Sequence, residues 1–170
     1  MERADRIRRH PLYQEAYEQI QTAEKNRKFC SHTMEHFLDV ARLMWIYVLE
    51  EHALFSRELV YAAALLHDMG RAEQYLSGMP HEKAGALLAE RIMTDCGFGE
   101  AEISEVRDAI LSHRNKNYRN RQSENRDAAG AHTLGEYLYR ADKRSRCCFL
   151  CPAEKECNWP QEKKNLQIME

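Results

Sequence analysis

Apolar residues recur every three or four positions along most of this 170-residue chain, which is the period of an amphipathic α-helix. No stretch alternates apolar and polar residues in the way that a half-buried strand does. We therefore expect an all-α fold, a bundle of about six to seven helices. The periodic segments place helices over residues 12–27, 33–51, 57–68, 81–95, 100–113 and about 133–146.

The composition is that of an ordinary globular protein, with 44% hydrophobic and 31% charged residues. The length suits a single domain over residues 1–170, with a Cys-rich element at 147–159 and a charged tail at 160–170 that is expected to be loose. The net charge of -2 argues against general nucleic-acid binding. Neither a membrane span nor a secretory signal is present in the sequence, so the expected location is the cytoplasm.

A histidine and an aspartate stand side by side at the end of the most apolar predicted helix. His67 and Asp68 follow the run 59–66, which is small or apolar on every side and predicts a buried helix. Burying an imidazole and a carboxylate is unfavourable unless they have a partner. A divalent metal ion binds a nitrogen and an oxygen ligand together, so the pair predicts a metal site.

Two other predicted helices carry a possible ligand next to their apolar stripe. His36 lies one turn before Val40, and Asp142 lies one turn beyond Leu138. Two imidazoles and two carboxylates suit Fe, Mn, Co or Ni, and zinc is also compatible. Four protein ligands on an octahedral ion leave positions open for water and substrate, an arrangement that suits phosphoester hydrolysis.

These residues resemble the H…HD…D signature of the HD superfamily of metal-dependent phosphohydrolases. The surrounding segments are similar too: HFLDVA begins at His36, ALLHDMGR contains the histidine–aspartate pair, and YRADK contains Asp142. The resemblance covers about residues 30–146. It implies a helical bundle with the metal between helices, held by His36, His67, Asp68 and Asp142. As a mechanistic hypothesis, Asp68 also helps to remove a proton from the activated water.

Two further histidines extend the resemblance. His81 opens the helix 81–95, and His113 ends the helix 100–113. In HD proteins with two metals, histidines at similar places bind the second ion; phosphate contact and helix capping are the alternatives. The most similar subgroup is the bacterial HD hydrolases that cut symmetrical diadenosine tetraphosphate. Where that family often has lysine after the glycine, this chain has Arg71, so substrate details do not carry over.

Basic residues near the predicted ligands are candidates for binding substrate phosphate: Arg71, Arg114 and Lys143. The expected partner is a phosphorylated small molecule or a nucleotide, and a homodimer is left open. The basic stretch 114–130 either covers an anionic substrate as a lid or is a solvated loop. His32, one turn before His36, is expected to be a neighbour and not a ligand.

A second metal site is indicated by the cysteines. Cys148 and Cys151 form a C-x2-C pair, Cys157 follows six residues later, and Cys30 precedes the helix of His36. Because disulfides are rare in a reducing compartment, this set favours structural zinc first and an iron–sulfur cluster second. The alternative is that the thiols are free and pack in a small hydrophobic knob.

The leading functional hypothesis is a metal-dependent phosphohydrolase that acts on a nucleotide or dinucleotide polyphosphate. The alternative is a non-catalytic module that senses a nucleotide or a metal, with the cysteine-bound metal as part of the sensor. A ferritin-like di-iron bundle is excluded, because no histidine has a glutamate three residues before it.

Overall fold

The computed structural model describes residues 1–114 and 132–168, and within these ranges it contains helices and no strand. The all-α fold predicted from the sequence is therefore confirmed. In the same ranges, no helix combines the length and apolarity needed to cross a bilayer. The α-helices are α1 (Glu2–Arg9), α2 (Pro11–Ala23), α3 (Met34–Glu50), α4 (Arg57–Leu66), α5 (Arg71–Ser77), α6 (His81–Asp95), α7 (Glu100–Ser112) and α8 (Leu134–Arg144).

Two short helices differ from the sequence prediction. The charged helix α1 buries only Ala4 and Ile7, a stripe too short to be seen as a period. Helix α5 lies where the sequence predicts only a turn with Gly78 and Pro80. Gly78 does end that helix, in the left-handed conformation with φ of 79°.

The predicted helix 57–68 ends two residues early, at Leu66. His67 and Asp68 instead begin a series of tight turns, in which Met69 N–H donates to the Leu66 carbonyl at 3.1 Å and Arg71 N–H donates to the Asp68 carbonyl at 3.0 Å. This tightening turns the chain from α4 into α5. The start of α4 is as expected, since the Ser56 hydroxyl accepts a hydrogen bond from the Leu59 N–H.

The core is built around α4, which packs against α1, α3 and α7. The alanines of α4 are fully buried, and their small size lets the neighbouring helices approach closely. Large buried side chains close the remaining space: Phe37, Met44, Leu66, Ile110, Leu134 and Leu138. The apolar run that predicts a buried helix is thus the centre of the bundle.

Two glycines bring the start of α6 against the turn that carries the histidine–aspartate pair. A Cβ atom on Gly70 would lie 2.0 Å from the carbonyl oxygen of His81 and 2.3 Å from the backbone nitrogen of Gly85. No side chain fits at such a distance, so the approach requires glycine at position 70. This contact sets the position of His81 relative to Asp68.

The C-terminal segment folds back onto the bundle through three 3-10 helices, Cys148–Leu150, Glu154–Glu156 and Gln161–Lys163. The charged tail, which the sequence predicts to be loose, contacts the segment after α8 in the part that the structure describes. Asn165 is buried, and its side-chain amide donates to the carbonyls of Lys143 and Arg146, each at 2.8 Å. The backbone carbonyl of Asn165 accepts a hydrogen bond from the Phe149 N–H at 3.1 Å.

Candidate metal centre

Three separate parts of the fold deliver the residues that the sequence predicts as ligands. The first turn of α3 carries His36, the turn after α4 carries His67 and Asp68, and α8 carries Asp142. Each of these four residues has one ligand atom within 4.8 Å of those of the other three, and all four side chains are buried. Helices far apart in the chain therefore bring two imidazoles and two carboxylates to one point.

Asp68, His81 and His113 form a second group with the same spacing. The two carboxylate oxygens of Asp68 face different groups. Its Oδ2 lies 3.2 Å from His67 Nε2, and its Oδ1 lies 3.5 Å from His81 Nε2. His81 Nε2 and His113 Nε2 are 3.4 Å apart. Asp68 therefore presents one oxygen to each ligand group.

Backbone carbonyls fix the orientation of two of the imidazoles. His67 Nδ1 lies 2.8 Å from the Ala64 carbonyl, and His113 Nδ1 lies 2.5 Å from the Ile110 carbonyl. A carbonyl only accepts, so each Nδ1 carries the hydrogen and each Nε2 points into the site. His67 Nε2 is buried without a hydrogen-bond partner and faces the carboxylates of Asp68 and Asp142 at 3.2 and 3.9 Å. A buried cation satisfies this arrangement, so the residues fit a metal ion.

The protonation states also suit metal ligands. Burial lowers the pKa of His36 to about 4, so this imidazole is neutral near pH 7. Burial alone would raise the pKa of both carboxyls, but the charges and hydrogen bonds around them outweigh it. The pKa values of Asp68 and Asp142 therefore lie well below the usual range. Burial alone would lower the pKa of His67, but the nearby carboxylates of Asp68 and Asp142 outweigh this effect and raise it. The site therefore favours a positive charge at this position.

Three basic side chains contact the predicted ligands. Arg71 Nε donates to Asp68 Oδ1 at 2.8 Å, and Lys143 Nζ hydrogen-bonds Asp142 Oδ2. Arg146 is not among the residues predicted from the sequence, because it lies beyond α8 and outside any helical stripe. Its Nη2 lies 2.9 Å from His36 Nε2, and its Nη1 donates to the Ser31 carbonyl at 2.8 Å.

A cavity of about 310 Å³, called here the His/Asp cavity, opens onto Asp68 and Asp142. Its lining is strongly basic and includes Arg114, which the sequence predicts to bind phosphate. The rest of the basic stretch, residues 115–130, lies outside the described residues. The other basic lining residues are Arg27, Arg71, Lys143 and Arg146, and the aromatic ones are Phe29 and Trp159.

His32 lies beside Asp68 but belongs to neither ligand group, as the sequence predicts. Its Nε2 is 3.4 Å from Asp68 Oδ2. Its other ring nitrogen is 2.6 Å from Glu24 Oε1, and its backbone N–H donates to Glu24 Oε2 at 2.8 Å. Both side chains are buried. Sequence reasoning missed Glu24, because no helical period links the end of α2 to the loop before α3.

We expect the Glu24→Gln variant to lose about 2 kcal/mol of unfolding free energy at pH 7. Burial alone would raise the pKa of Glu24, but hydrogen bonds from His32 and Tyr75 lower it to about 2. A lowered pKa stabilises the fold above the ordinary value of 4.5, and this stabilisation is lost as the pH falls from 4.5 toward 2. Urea unfolding at pH 7 and pH 3 should therefore show a smaller difference between wild type and variant at pH 3.

The matched control for this prediction is Glu15→Gln, which changes an exposed glutamate on α2, the helix that ends just before Glu24. It should leave the unfolding free energy unchanged at both pH values. A difference between wild type and Glu24→Gln that stays constant with pH would contradict the assigned role of the Glu24 carboxylate.

Comparisons with known proteins agree with this architecture. Residues 33–147 match the model of the HD domain family. An uncharacterized protein of Clostridium beijerinckii (strain ATCC 51743 / NCIMB 8052) is 42% identical over 145 residues, which are 85% of this chain and 84% of that protein. A crystal structure described as a predicted HD superfamily hydrolase from an uncultured Thermotogales bacterium has a similar fold. It is 22% identical, covers 90% of this chain and 81% of its own, and has a TM-score of 0.57. None of these comparisons supports the narrower diadenosine tetraphosphate subgroup.

Proposed function

Since this chain belongs to the HD domain family, we propose that it is a metal-dependent phosphohydrolase that acts on a nucleotide or a related phosphorylated small molecule. One observation carries the proposal. Asp68 and Asp142 line a basic cavity, and the buried His67 directs an unpartnered Nε2 at their carboxylates. Such a constellation suits a hydrolytic metal site that receives an anionic substrate.

In this proposal the first divalent ion is held by His36, His67, Asp68 and Asp142. His81 and His113 hold a second ion together with Asp68, and the two directions in which the Asp68 oxygens point support this version. When bound, such ions supply an activated water nucleophile and neutralise phosphate oxygens. The mixture of imidazole and carboxylate ligands suits Fe, Mn, Co or Ni.

The remaining roles are assigned to this chain's own side chains. Asp68 is the proposed acceptor of the water proton, because its carboxylate is shared by both ligand groups. Arg71, Arg114 and Lys143 are proposed to bind the substrate phosphates, and Arg146 joins them. All four side chains line the His/Asp cavity, where they can form charged hydrogen bonds with the phosphate oxygens.

The lining of the cavity supports a nucleotide as the substrate class. Ligand pockets usually hold about 300–1,000 Å³, and the His/Asp cavity of about 310 Å³ lies within that range. The rings of Phe29 and Trp159 offer apolar faces on which a base can stack. A simple phosphomonoester would leave these faces unused.

The test is a hydrolysis assay with Mn, Fe, Co and Ni against nucleoside mono-, di- and triphosphates, diadenosine tetraphosphate and simple phosphomonoesters. We expect metal-dependent turnover of a nucleotide. Lys143→Met should raise its KM about tenfold, which corresponds to about 1.4 kcal/mol of binding. The matched control is Lys25→Met, which changes an exposed lysine outside the His/Asp cavity.

A second candidate function is a sensing module without turnover. It is favoured by the position of Cys30 and Cys157, which also line the His/Asp cavity. Stoichiometric binding of a nucleotide and a metal, with no hydrolysis of any compound under any of the four metals, would support the sensor and contradict the hydrolase.

A further inference from the structure

The fold brings one distant cysteine to the Cys-rich C-terminal element. Cys148, Cys151 and Cys157 lie within or next to two consecutive 3-10 helices, and Cys30 lies in the segment between α2 and α3. All four line one cavity of about 320 Å³, called here the cysteine cavity.

These thiols carry the marks of a ligand set and not of disulfides. All six cysteines of the chain are free. The backbone N–H of Trp159 points at Cys157 Sγ, at 3.5 Å, and such a donor stabilises a negatively charged sulfur. Four basic side chains line the same cavity and can offset the charge of several thiolates: Arg27, Lys28, Arg146 and Lys164.

The spacing of the sulfur atoms distinguishes a single ion from a cluster. A tetrahedral zinc ion has Zn–S bonds of about 2.3 Å, so its four sulfurs lie within about 4 Å of one another. In the part of the chain that the structure describes, which includes every cysteine, the groups with ligand atoms within 4.8 Å are the two His/Asp groups. No three cysteine sulfurs are therefore that close. In a [4Fe–4S] cluster each of four cysteines binds a different iron, so the cysteine sulfurs lie further apart than around a single ion.

We propose that the cysteine cavity holds an iron–sulfur cluster, ligated by the thiolates of Cys30, Cys148, Cys151 and Cys157. The spacing reverses the order expected from the sequence, in which structural zinc comes first. None of the four thiols belongs to a His/Asp group, and the proposal does not require hydrolysis there, although His36 lines the cysteine cavity.

The cluster has a structural consequence for the His/Asp cavity. Cys157 and Trp159 line both cavities, and Arg146, which contacts His36, lines both as well. A cluster ligated by Cys30 and Cys157 links the segment before α3 to the C-terminal segment. It therefore fixes one wall of the His/Asp cavity and holds Trp159 and Arg146 in place.

The experiment uses the full chain purified without oxygen. We expect about four iron and four acid-labile sulfide per chain, with a broad visible absorption that bleaches on reduction. Mössbauer spectroscopy should show tetrahedral iron with sulfur ligands. Iron in the His/Asp groups is distinguished by the Asp142→Ala variant, which should keep its sulfide and colour.

Ligand identity is tested by serine variants and matched controls. Cys151→Ser and Cys30→Ser should lose the sulfide and the visible absorption. Cys96→Ser, which changes a buried thiol at the end of α6, and Cys147→Ser, which changes the exposed neighbour of Cys148, should retain both. If a variant fails to fold by circular dichroism, the sulfide and Mössbauer measurements on the wild type still test the cluster.

Two results would overturn the proposal. The first is a wild-type chain that contains no sulfide when purified without oxygen and takes up none from ferrous iron and sulfide. The second is zinc bound to four sulfurs at about 2.3 Å in X-ray absorption, since that is the geometry of a single ion.

Discussion

The Asp68→Ala variant is expected to lose metal binding at the His/Asp groups, and its turnover should fall by more than about a hundredfold. Mutating only the hydrogen-bond partner of a metal ligand already lowers affinity or activity by up to about a hundredfold, so losing the ligand itself should have a larger effect. Asp68 is the one residue common to both groups, and its oxygens face His67 on one side and His81 on the other. Its loss therefore removes a ligand from each proposed ion at once. It also leaves the buried His67 Nε2 with less negative charge opposite it.

Metal content per chain and kcat with the best nucleotide measure this effect. The matched control is Asp108→Ala, which changes an exposed aspartate on α7 and should alter neither quantity. The variant Asp68→Asn keeps the shape of the side chain and removes its charge, so it should lose metal without loss of the fold. Wild-type turnover in Asp68→Ala would refute the assignment of this residue.

A single methyl group at position 70 should have the largest effect on the fold. The added Cβ of Gly70→Ala would lie under 3.0 Å from backbone atoms of both His81 and Gly85. Backbone cannot move aside as the end of a flexible side chain can, so α6 must shift away from the turn. We expect a loss of about 3 kcal/mol or more in unfolding free energy, at the upper end of overpacking.

The shift of α6 also carries His81 away from Asp68, so the variant should bind less than the full complement of metal even where it folds. Urea unfolding and metal analysis measure the two effects. Gly99→Ala is the matched control, because its nearest contact would be 3.8 Å away and its φ of -77° is ordinary. Equal stability of the two variants would show that the close approach at Gly70 does not constrain the fold.

The first group, His36, His67, Asp68 and Asp142, was predictable from sequence because its cues are local, whereas His81 and His113 were expected as ligands only through the family resemblance. His67 and Asp68 end an apolar helix, and His36 and Asp142 each lie one turn from a residue of an apolar stripe, so helical period alone directs them inward. Cys30 could be proposed as a fourth thiol from its place before the first of these helices. The structure does bring it to the same cavity as the other three.

Other parts of the site depend on contacts between distant segments and have no local signal. Arg146 reaches His36 across 110 positions, and Glu24 meets His32 through a loop. The double role of Asp68 depends on how closely α6 approaches the turn at Gly70. Helix α5 likewise has no apolar period to reveal it, since Ala72 is the residue that it buries.

The central claim is that His36, His67, Asp68 and Asp142 hold one divalent ion. Its most direct test is an anomalous-scattering map of crystals grown with manganese, collected on both sides of the metal edge. We expect a peak about 2 Å from the facing nitrogen or oxygen of each of the four residues. A map in which the manganese of a fully loaded protein lies elsewhere, with Asp142 uncoordinated, would contradict the account.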